Sequence, residues 1–99
     1  MALTRFGFIV TGAGLNVAQH RSVMTSGQFE MIALGVANAH EGIAAAQQLV
    51  AENVQLIELC GGFGPQGTAA VIDAIAGAVP VGSVGYGPEA TQALADLFA

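Results

Sequence analysis

Positive charge is nearly absent from this sequence, whose 99 residues include two arginines, Arg5 and Arg21, and no lysine. Nucleic-acid binding draws on many lysine and arginine contacts to phosphate, and a polybasic membrane patch needs a cluster of the same residues. Two cations supply neither, so we expect no nucleic acid and no membrane among the partners. Without lysine, Schiff-base chemistry, a pyridoxal anchor and the lysine-containing phosphate loop are excluded as well.

Cysteine is equally scarce, because Cys60 is the only one. A single cysteine excludes an internal disulfide, a Cys-x-x-Cys redox pair and a cysteine-rich zinc site, and it favours a reducing, cytoplasmic compartment. We expect neither a metal nor another cofactor. The apolar run at residues 6–10 is too short for a signal-peptide core, and no run approaches the length of a membrane span.

Charged residues of both signs make up 9% of the chain, against about 25% in a typical domain, while 54% of the residues are apolar. This composition excludes intrinsic disorder, and the length predicts one domain. So few charges cover the surface of a monomer poorly. We therefore expect a homo-oligomer that covers sheet edges and an alanine-rich helix surface at residues 44–46.

Four apolar runs follow one another at nearly constant spacing, with helical signals between them. They lie at residues 6–10, 29–36, 54–60 and 79–84. Strands that alternate with helices form parallel sheets, so we predict an α/β fold with a four-stranded, mainly parallel sheet. The preferred strand order is 2-1-3-4, as in a short flavodoxin-like sheet, and the alternative is the sequential order 1-2-3-4 of half a (β/α)₈ barrel.

The helices have recognisable start signals. Asn16 is expected to begin a first helix that ends near Gly27, and Asn38 with Glu41 resembles a capping box for a second. Gly-Pro pairs at residues 64–65 and 87–88 begin the third and fourth helices. Helical spacing predicts the buried positions of these last two helices: Val71, Ile72, Ile75, Ala90, Leu94, Leu97 and Phe98.

Those two Gly-Pro pairs belong to an internal repeat, Gly-aromatic-Gly-Pro, at residues 62–65 and 85–88. Both copies follow a predicted strand. One interpretation is a shared tight turn without a ligand. The other is a binding site, because such turns lie at the carboxyl ends of parallel strands and present backbone N–H groups at helix starts.

The segment between the third strand and its helix carries the residues best suited to chemistry. Alternation along the strand places Glu58 and Cys60 on one face. A carboxylate buried there would have a raised pKa and act as a general base, although it could instead cap a turn or pair with an arginine. Cys60 is a candidate nucleophile or a buried space-filler. Gly61 and Gly62 permit a ligand or backbone to approach closely.

The predicted first helix adds two further candidates. His20 and Arg21 would lie one turn into it, near the same carboxyl edge of the sheet. Arg21 would pair with Glu58 or hold a ligand carboxylate through both guanidinium nitrogens. The alternative for both residues is a position facing solvent.

The sequence resembles an uncharacterised family of small bacterial α/β proteins, a domain of unknown function. The resemblance covers most of the chain and is most specific at Ile-Glu-Leu-Cys-Gly-Gly-Phe-Gly-Pro, residues 57–65. It implies a small stand-alone domain. It implies no particular activity and no catalytic residues.

Two classes of function remain. The first is an enzyme that moves a proton on a small carbonyl or carboxylate compound, as an isomerase, cyclase or lyase does, with Glu58 as base and His20 or Tyr86 as acid. Backbone N–H groups of residues 61–64 would hold the developing oxyanion. The second is a non-catalytic module that binds a small ligand or another protein.

For either class we predict one anion-attracting cleft between the two repeat turns. Phe63 and Tyr86 would wall it, and Arg21 would close a third side. Gly64 and Gly87 would lie where the two helix N-termini point into it. The alternative is that both aromatic side chains pack beneath the loops as core.

Overall fold

Strands and helices alternate along most of the chain in a computed structural model that describes residues 2–99. The strands are β1 (Arg5–Thr11), β2 (Arg21–Thr25), β3 (Glu30–Val36), β4 (Ile57–Leu59) and β5 (Val81–Ser83). The helices are α1 (Gly42–Ala51), α2 (Gly64–Ala74) and α3 (Thr91–Leu97), each directly preceded by a short 3-10 turn. No helix within residues 2–99 has the length and apolar character needed to cross a membrane.

The five strands form one mixed sheet in the order β2-β3-β1-β4-β5. β3, β1, β4 and β5 are parallel, whereas β2 runs antiparallel to β3. The α/β class and the mainly parallel sheet are confirmed, and the four parallel strands follow the preferred order 2-1-3-4. The sequential order is wrong. The predicted count of four strands is also wrong, because β2 adds a fifth.

The extra strand replaces the predicted first helix. Asn16 caps only a single turn, in which its Oδ1 accepts a hydrogen bond from the N–H of Gln19 at 3.0 Å. β2 then pairs with the edge of β3, and Ser26 and Phe29 close a two-residue hairpin loop. Gly27, at φ 88°, supplies the positive φ that such loops need. An isolated helix of this length is marginal, so pairing with an existing strand edge is the better way to satisfy the backbone.

The crossovers decide which face of the sheet is covered. α1 connects β3 to β4 and α2 connects β4 to β5, so both cross the sheet in the same direction. Because such crossovers are right-handed, both helices lie on one face, where they contact each other. The connection from β1 to β3 runs the opposite way, and a helix there would have covered the second face. Within residues 2–99 that face has no crossover helix, and we call it the open face; it carries Phe6, Phe8, Val10 and Met31.

The core lies between the sheet and the layer formed by α1 and α2. Alternate strand residues point into it and are fully buried: Ile9, Ile32, Leu34, Ile57 and Leu59. Leu49 of α1 and Val71 of α2 meet them from the other side. Gly7 leaves room for Leu49, since a Cβ at residue 7 would lie 2.6 Å from Leu49 Cδ1. Each such leucine or isoleucine contributes about 1.5–3 kcal/mol relative to an exposed one.

The start of α1 confirms the predicted cap. Asn38 Oδ1 accepts a hydrogen bond from the N–H of Glu41 at 3.1 Å, and the Glu41 carboxylate accepts one from the N–H of Ala37 at 3.0 Å. The helix ends at Ala51, and Asn53 leaves it at φ 66°. The side-chain caps therefore set where the chain enters the helical layer.

Helix α2 begins at its predicted Gly-Pro pair, whereas the pair at residues 87–88 begins a 3-10 turn that precedes α3. The buried positions of both helices also differ from the prediction. In α2, Val71 and Ile75 are buried while Ile72 is exposed, because residues four apart share a helix face and the next residue does not. In α3, Leu97 and Phe98 are largely exposed. This helix has only seven residues and begins at Thr91, after the 3-10 turn at Pro88–Ala90.

The alanine-rich helix surface expected at residues 44–46 is largely absent. Ala45 and Ala46 are buried in the core, and only Ala44 of the three is exposed. Helix α1 turns these two alanines towards the sheet because their small side chains allow close packing. Exposed apolar side chains remain on the open face, at Val10, Met24 and Phe29, and also on α2 and around α3, at Ile72, Leu97 and Phe98.

Candidate functional site

A cavity of about 670 Å³ lies at the carboxyl ends of β1 and β4, between the open face and α3. The chain leaves β1 towards β3 on one side and leaves β4 towards β5 on the other, so this is the topological switch point of the sheet. Ligands of open α/β sheets bind at such points. The lining residues are Val10, Thr11, Cys60, Gly61, Gly62, Tyr86, Leu94 and Phe98.

Cys60 is held at the end of β4 by β1. Its N–H donates to the carbonyl of Ile9 at 3.1 Å. Its Sγ accepts a hydrogen bond from the N–H of Thr11 at 3.3 Å, and the Thr11 Oγ1 lies at the same distance. Burial raises the pKa of the Cys60 thiol, but hydrogen bonds from Thr11 and from the N–H of Gly62 outweigh it, so the pKa lies below its ordinary value. The environment therefore favours the thiolate, which is the reactive form.

The two glycines after Cys60 allow these contacts. A Cβ on Gly62 would collide with Thr11 Oγ1, and a Cβ on Gly61 would lie 3.1 Å from Cε2 of Tyr86. Glycine at both positions lets the threonine hydroxyl reach the sulfur and lets the tyrosine ring lie against the backbone. This is the close approach that the sequence predicts for the Gly-Gly pair.

Tyr86 and α3 form the other side of the cavity. The Tyr86 side chain is 63% exposed and lines the same cavity as Cys60. Leu94 and Phe98 of the α3 region add apolar walls. The site combines one thiol, two hydroxyl groups and apolar surface, a composition typical of small-molecule pockets.

Glu58 lies on the same strand face as Cys60, as predicted, but not in this cavity. It is exposed and lines a smaller depression of about 300 Å³ with Gly82, Ser83 and Val84. The burial that the general-base hypothesis required is absent, because no helix covers the open face at this position.

His20 lies in the loop before β2 rather than on a helix. Its Nδ1 accepts a hydrogen bond from the N–H of Asn16 at 3.0 Å, and its Cβ packs over Gly35 of β3. It lines a separate cavity of about 250 Å³, and Val10 of β1 stands between that cavity and the one at Cys60. Two strand spacings, about 10 Å, separate β3 from β4. His20 is therefore not in hydrogen-bond reach of Cys60.

Arg21 pairs with Glu52 instead of Glu58, so the predicted pair is wrong. Its Nη1 and Nη2 donate to the two carboxylate oxygens of Glu52 at 2.8 and 2.6 Å. Alternation along β2 directs Arg21 to the face covered by α1, opposite the face of Glu58. The pair fastens β2 to the end of α1 and uses the bidentate geometry that was expected to hold a ligand.

The two repeat turns do not form one cleft. Phe63 is 4% exposed and packs in the core against Gly42 of α1, as in the alternative interpretation, whereas Tyr86 is exposed. Neither Gly64 nor Gly87 lines the cavity at Cys60. The carboxylate of Glu89 lies against Gly87, where an anion was expected. The two turns have similar sequences but different surroundings, because α1 covers the first turn and not the second.

A family model of unknown function, DUF6506, matches residues 4–99. The chain belongs to DUF6506. The resemblance drawn from the segment at residues 57–65 is therefore confirmed, and the match includes every residue of the cavity. No curated protein and no solved structure matches the chain.

Thr11 contacts Cys60 in the candidate site, and it was not predicted from the sequence. The register that pairs Ile9 with Leu59 brings Thr11 beside the residues that follow β4. The preferred strand order already placed the end of the first strand next to Cys60. The hydroxyl residue at that end could therefore have been predicted to contact the sulfur. No cluster of three or more histidine, cysteine or acidic residues in residues 2–99 is arranged to hold a metal.

Proposed function

We propose that the cavity binds a small carbonyl compound and that the protein moves a proton on it, in an isomerase, cyclase or lyase type of reaction. The observation that carries this proposal is the placement of two groups of different acidity in one cavity. The Cys60 thiol has a lowered pKa, and the Tyr86 phenol faces the same space. A base and an acid on two sides of one site are what proton transfer requires.

The proposed step is the removal of a proton from the carbon beside a carbonyl group. The Cys60 thiolate takes the proton and becomes the thiol, while Tyr86 donates a hydrogen bond to the oxygen on which the enolate charge develops. Return of the proton from Cys60 to another carbon completes an isomerisation without a net change in protons. Cys60 replaces Glu58 as the base because Glu58 lies outside the cavity.

Tyr86 is also the better donor to the oxyanion than the turn after Cys60. The N–H of Gly62 already acts on the Cys60 sulfur, where it lowers the pKa of the thiol. The ring of Tyr86 lies against Gly61 and lines the same cavity, which leaves its hydroxyl free to donate to the oxygen of a bound carbonyl compound. In this proposal the turn therefore stabilises the thiolate of Cys60, and the hydroxyl of Tyr86 stabilises the oxyanion.

The charge of the protein favours a neutral carbonyl compound over a strongly anionic one. The net charge is −5, and both arginines form ion pairs within the chain, Arg5 with Glu30 and Arg21 with Glu52. Neither guanidinium lines the cavity. A carboxylate substrate would have to bind without a cation to pair with it.

Hydrogen–deuterium exchange into a panel of small ketones, aldehydes and keto acids, followed by NMR, tests the proposal. The wild type is expected to exchange the protons beside the carbonyl of at least one member. Cys60→Ala should abolish this exchange, and Tyr86→Phe should slow it by about a hundredfold. Glu58→Gln is the matched control and should leave it unchanged. Exchange that survives Cys60→Ala, or that disappears in Glu58→Gln, would overturn the assignment.

A non-catalytic ligand-binding module is the second candidate, favoured by the apolar walls from Leu94 and Phe98. In that case a panel member binds, as seen in ligand-observed NMR, but no exchange occurs in the wild type. Binding would then be equal in Cys60→Ala and the wild type. Catalysis predicts instead that binding and exchange occur with the same compound.

A further inference from the structure

The open face carries side chains that sheets normally bury. Three of the five phenylalanines lie on it, Phe6, Phe8 and Phe29, and the rings of Phe6 and Phe29 pack with their centroids 5.6 Å apart. Met24, beside them at the β2 edge, is 69% exposed. On the other face, Ile9, Ile32 and Leu34 at the neighbouring strand positions are fully buried in the core beneath the helices. Clusters of exposed apolar side chains of this kind mark interaction surfaces.

Charge is nearly absent from this surface. Among the strand residues that the structure describes, Glu58 is the one ionisable side chain that points to the open face, and it lies on β4 directly beside Phe8. Arg5, Glu30 and Arg21 belong to the opposite face, where they form ion pairs. The part of the open face that lies on β1, β3 and β2 therefore offers no charge that would select a partner of opposite sign.

The accessible surface of the chain is larger than that of a compact monomer. It measures 6035 Å², whereas a monomeric protein of 9.9 kDa exposes about 5200 Å². The difference is about the 800 Å² that each partner contributes to a standard protein interface. The radius of gyration, 13.9 Å, likewise exceeds the roughly 12.6 Å of a domain of this length.

We infer that the open face packs on the open face of a second copy of this chain, in a dimer with two-fold symmetry. An uncharged apolar patch is complementary to itself, and a two-fold axis brings the same patch from both copies into contact. Two sheets stack in this way at about 10 Å with interdigitating side chains. The second copy supplies the layer that a helix between β1 and β3 would have supplied.

Sedimentation equilibrium at micromolar concentration tests this inference. The wild type is expected at about 20 kDa, twice the mass of the chain. Ala33→Glu places a carboxylate beside Phe8 in the centre of the patch and should weaken the dimer by about a hundredfold. Ala44→Glu is the same change on the outer surface of α1 and should leave the dimer intact.

Met24→Glu keeps the test decisive if Ala33→Glu does not fold, as judged by circular dichroism. The Met24 side chain is already exposed, so its replacement leaves folding unaffected and should weaken the dimer by about tenfold. A wild type that sediments as a monomer would overturn the inference. So would a dimer that persists in both open-face variants, or one that dissociates equally in Ala44→Glu.

Discussion

The two faces of the sheet are built from the same strands, yet they differ in nearly every other respect. In β4, Ile57 and Leu59 are fully buried under the helical layer, while Glu58 between them is exposed on the open face. In β1, Ile9 is buried and Val10 lines the cavity. The covered face supplies the stability of the fold. The open face carries the cavity, the Cys60 thiol and the surface proposed for a second copy.

This division has a simple origin in the connections. Helices follow β3 and β4, and both cross the same face, whereas the segment after β1 returns through a hairpin. One buried face suffices for a core in a chain of this size. Side chains on the other face are under a weaker packing constraint, so substitutions there should change binding and assembly more than folding.

The largest expected effect is the loss of Leu49 from the covered face. Leu49→Ala removes a fully buried side chain packed over Gly7 and should lower the free energy of unfolding by about 2–5 kcal/mol. Met24→Ala, on the exposed edge of the open face, should change it by less than about 0.5 kcal/mol. Urea unfolding, at a protein concentration low enough to keep the chain monomeric, measures both. Equal losses would contradict the division.

A pair of glycine substitutions sharpens the same comparison. Gly7→Ala would place its Cβ 2.6 Å from Leu49 Cδ1 and should cost about 1–3 kcal/mol, or several degrees of melting temperature. Gly82→Ala, on the open face, meets no atom within 4 Å and should be neutral or slightly stabilising. The cost of Gly7→Ala should shrink in a Leu49→Ala background, because the two residues share one space. If Gly7→Ala lowers the free energy of unfolding equally in the Leu49→Ala background, the added methyl group does not clash with Leu49.

A smaller effect concerns the thiol on the open face. Thr11→Val removes the hydroxyl hydrogen bond to Cys60 and should raise the pKa of the thiol towards its ordinary value. The rate of alkylation by iodoacetamide, measured against pH, should then reach its midpoint at higher pH. The pKa of the thiol is lower in the folded protein than in the unfolded chain. The stabilisation from Cys60 is therefore complete in alkaline solution, above the unfolded pKa, and is lost as the pH falls through the folded pKa.

Thr25→Val is the matched control for that measurement, since it removes a hydroxyl from the β2–β3 hairpin. It should leave the alkylation profile of Cys60 unchanged. A profile that moves equally in both variants would show that the hydroxyl of Thr11 has no special effect on the sulfur.

The smallest expected effect belongs to the ion pair between Arg21 and Glu52. Because both side chains remain partly exposed and are screened by solvent, Glu52→Gln should cost only about 0.2–1 kcal/mol near neutral pH. The hydrogen bond from Arg21 lowers the pKa of Glu52 below 4.5. Wild-type stability should therefore fall as the pH drops from about that value through the lower folded pKa, and the variant should lack this decrease. Urea midpoints across acidic pH compare the two proteins, and parallel curves would exclude the linkage.

Most of the parallel sheet could be predicted from the sequence, because its signals are local. Continuous apolar runs, the Asn38 cap and the Gly-Pro pair at residues 64–65 each act through nearby backbone atoms, and these have the predicted effect. The first connection was mispredicted because Asn16 also suits the start of a helix. The edge of β3, which favours β2 instead, is formed by a distant part of the chain.

The candidate site divides in the same way. Glycines at residues 61 and 62 next to Cys60 are visible in the sequence, and the structure brings them together with Tyr86. The partner of the sulfur, Thr11, lies 49 residues away along the chain and reaches it only through the pairing of β1 with β4. The partner of Arg21 was equally hidden, since Glu52 approaches it across the helical layer.

The sequence by itself determined the α/β class, the positions of the parallel strands, the starts of α1 and α2 and the family, because apolar periodicity and capping act over a few residues. Only the tertiary structure decided which face of the sheet is covered. That choice depends on the direction in which each connection crosses the sheet and on a strand edge capturing residues 21–25. It exposes Glu58, buries Phe63 and leaves Cys60 at the mouth of a cavity, although all three lie in one short segment.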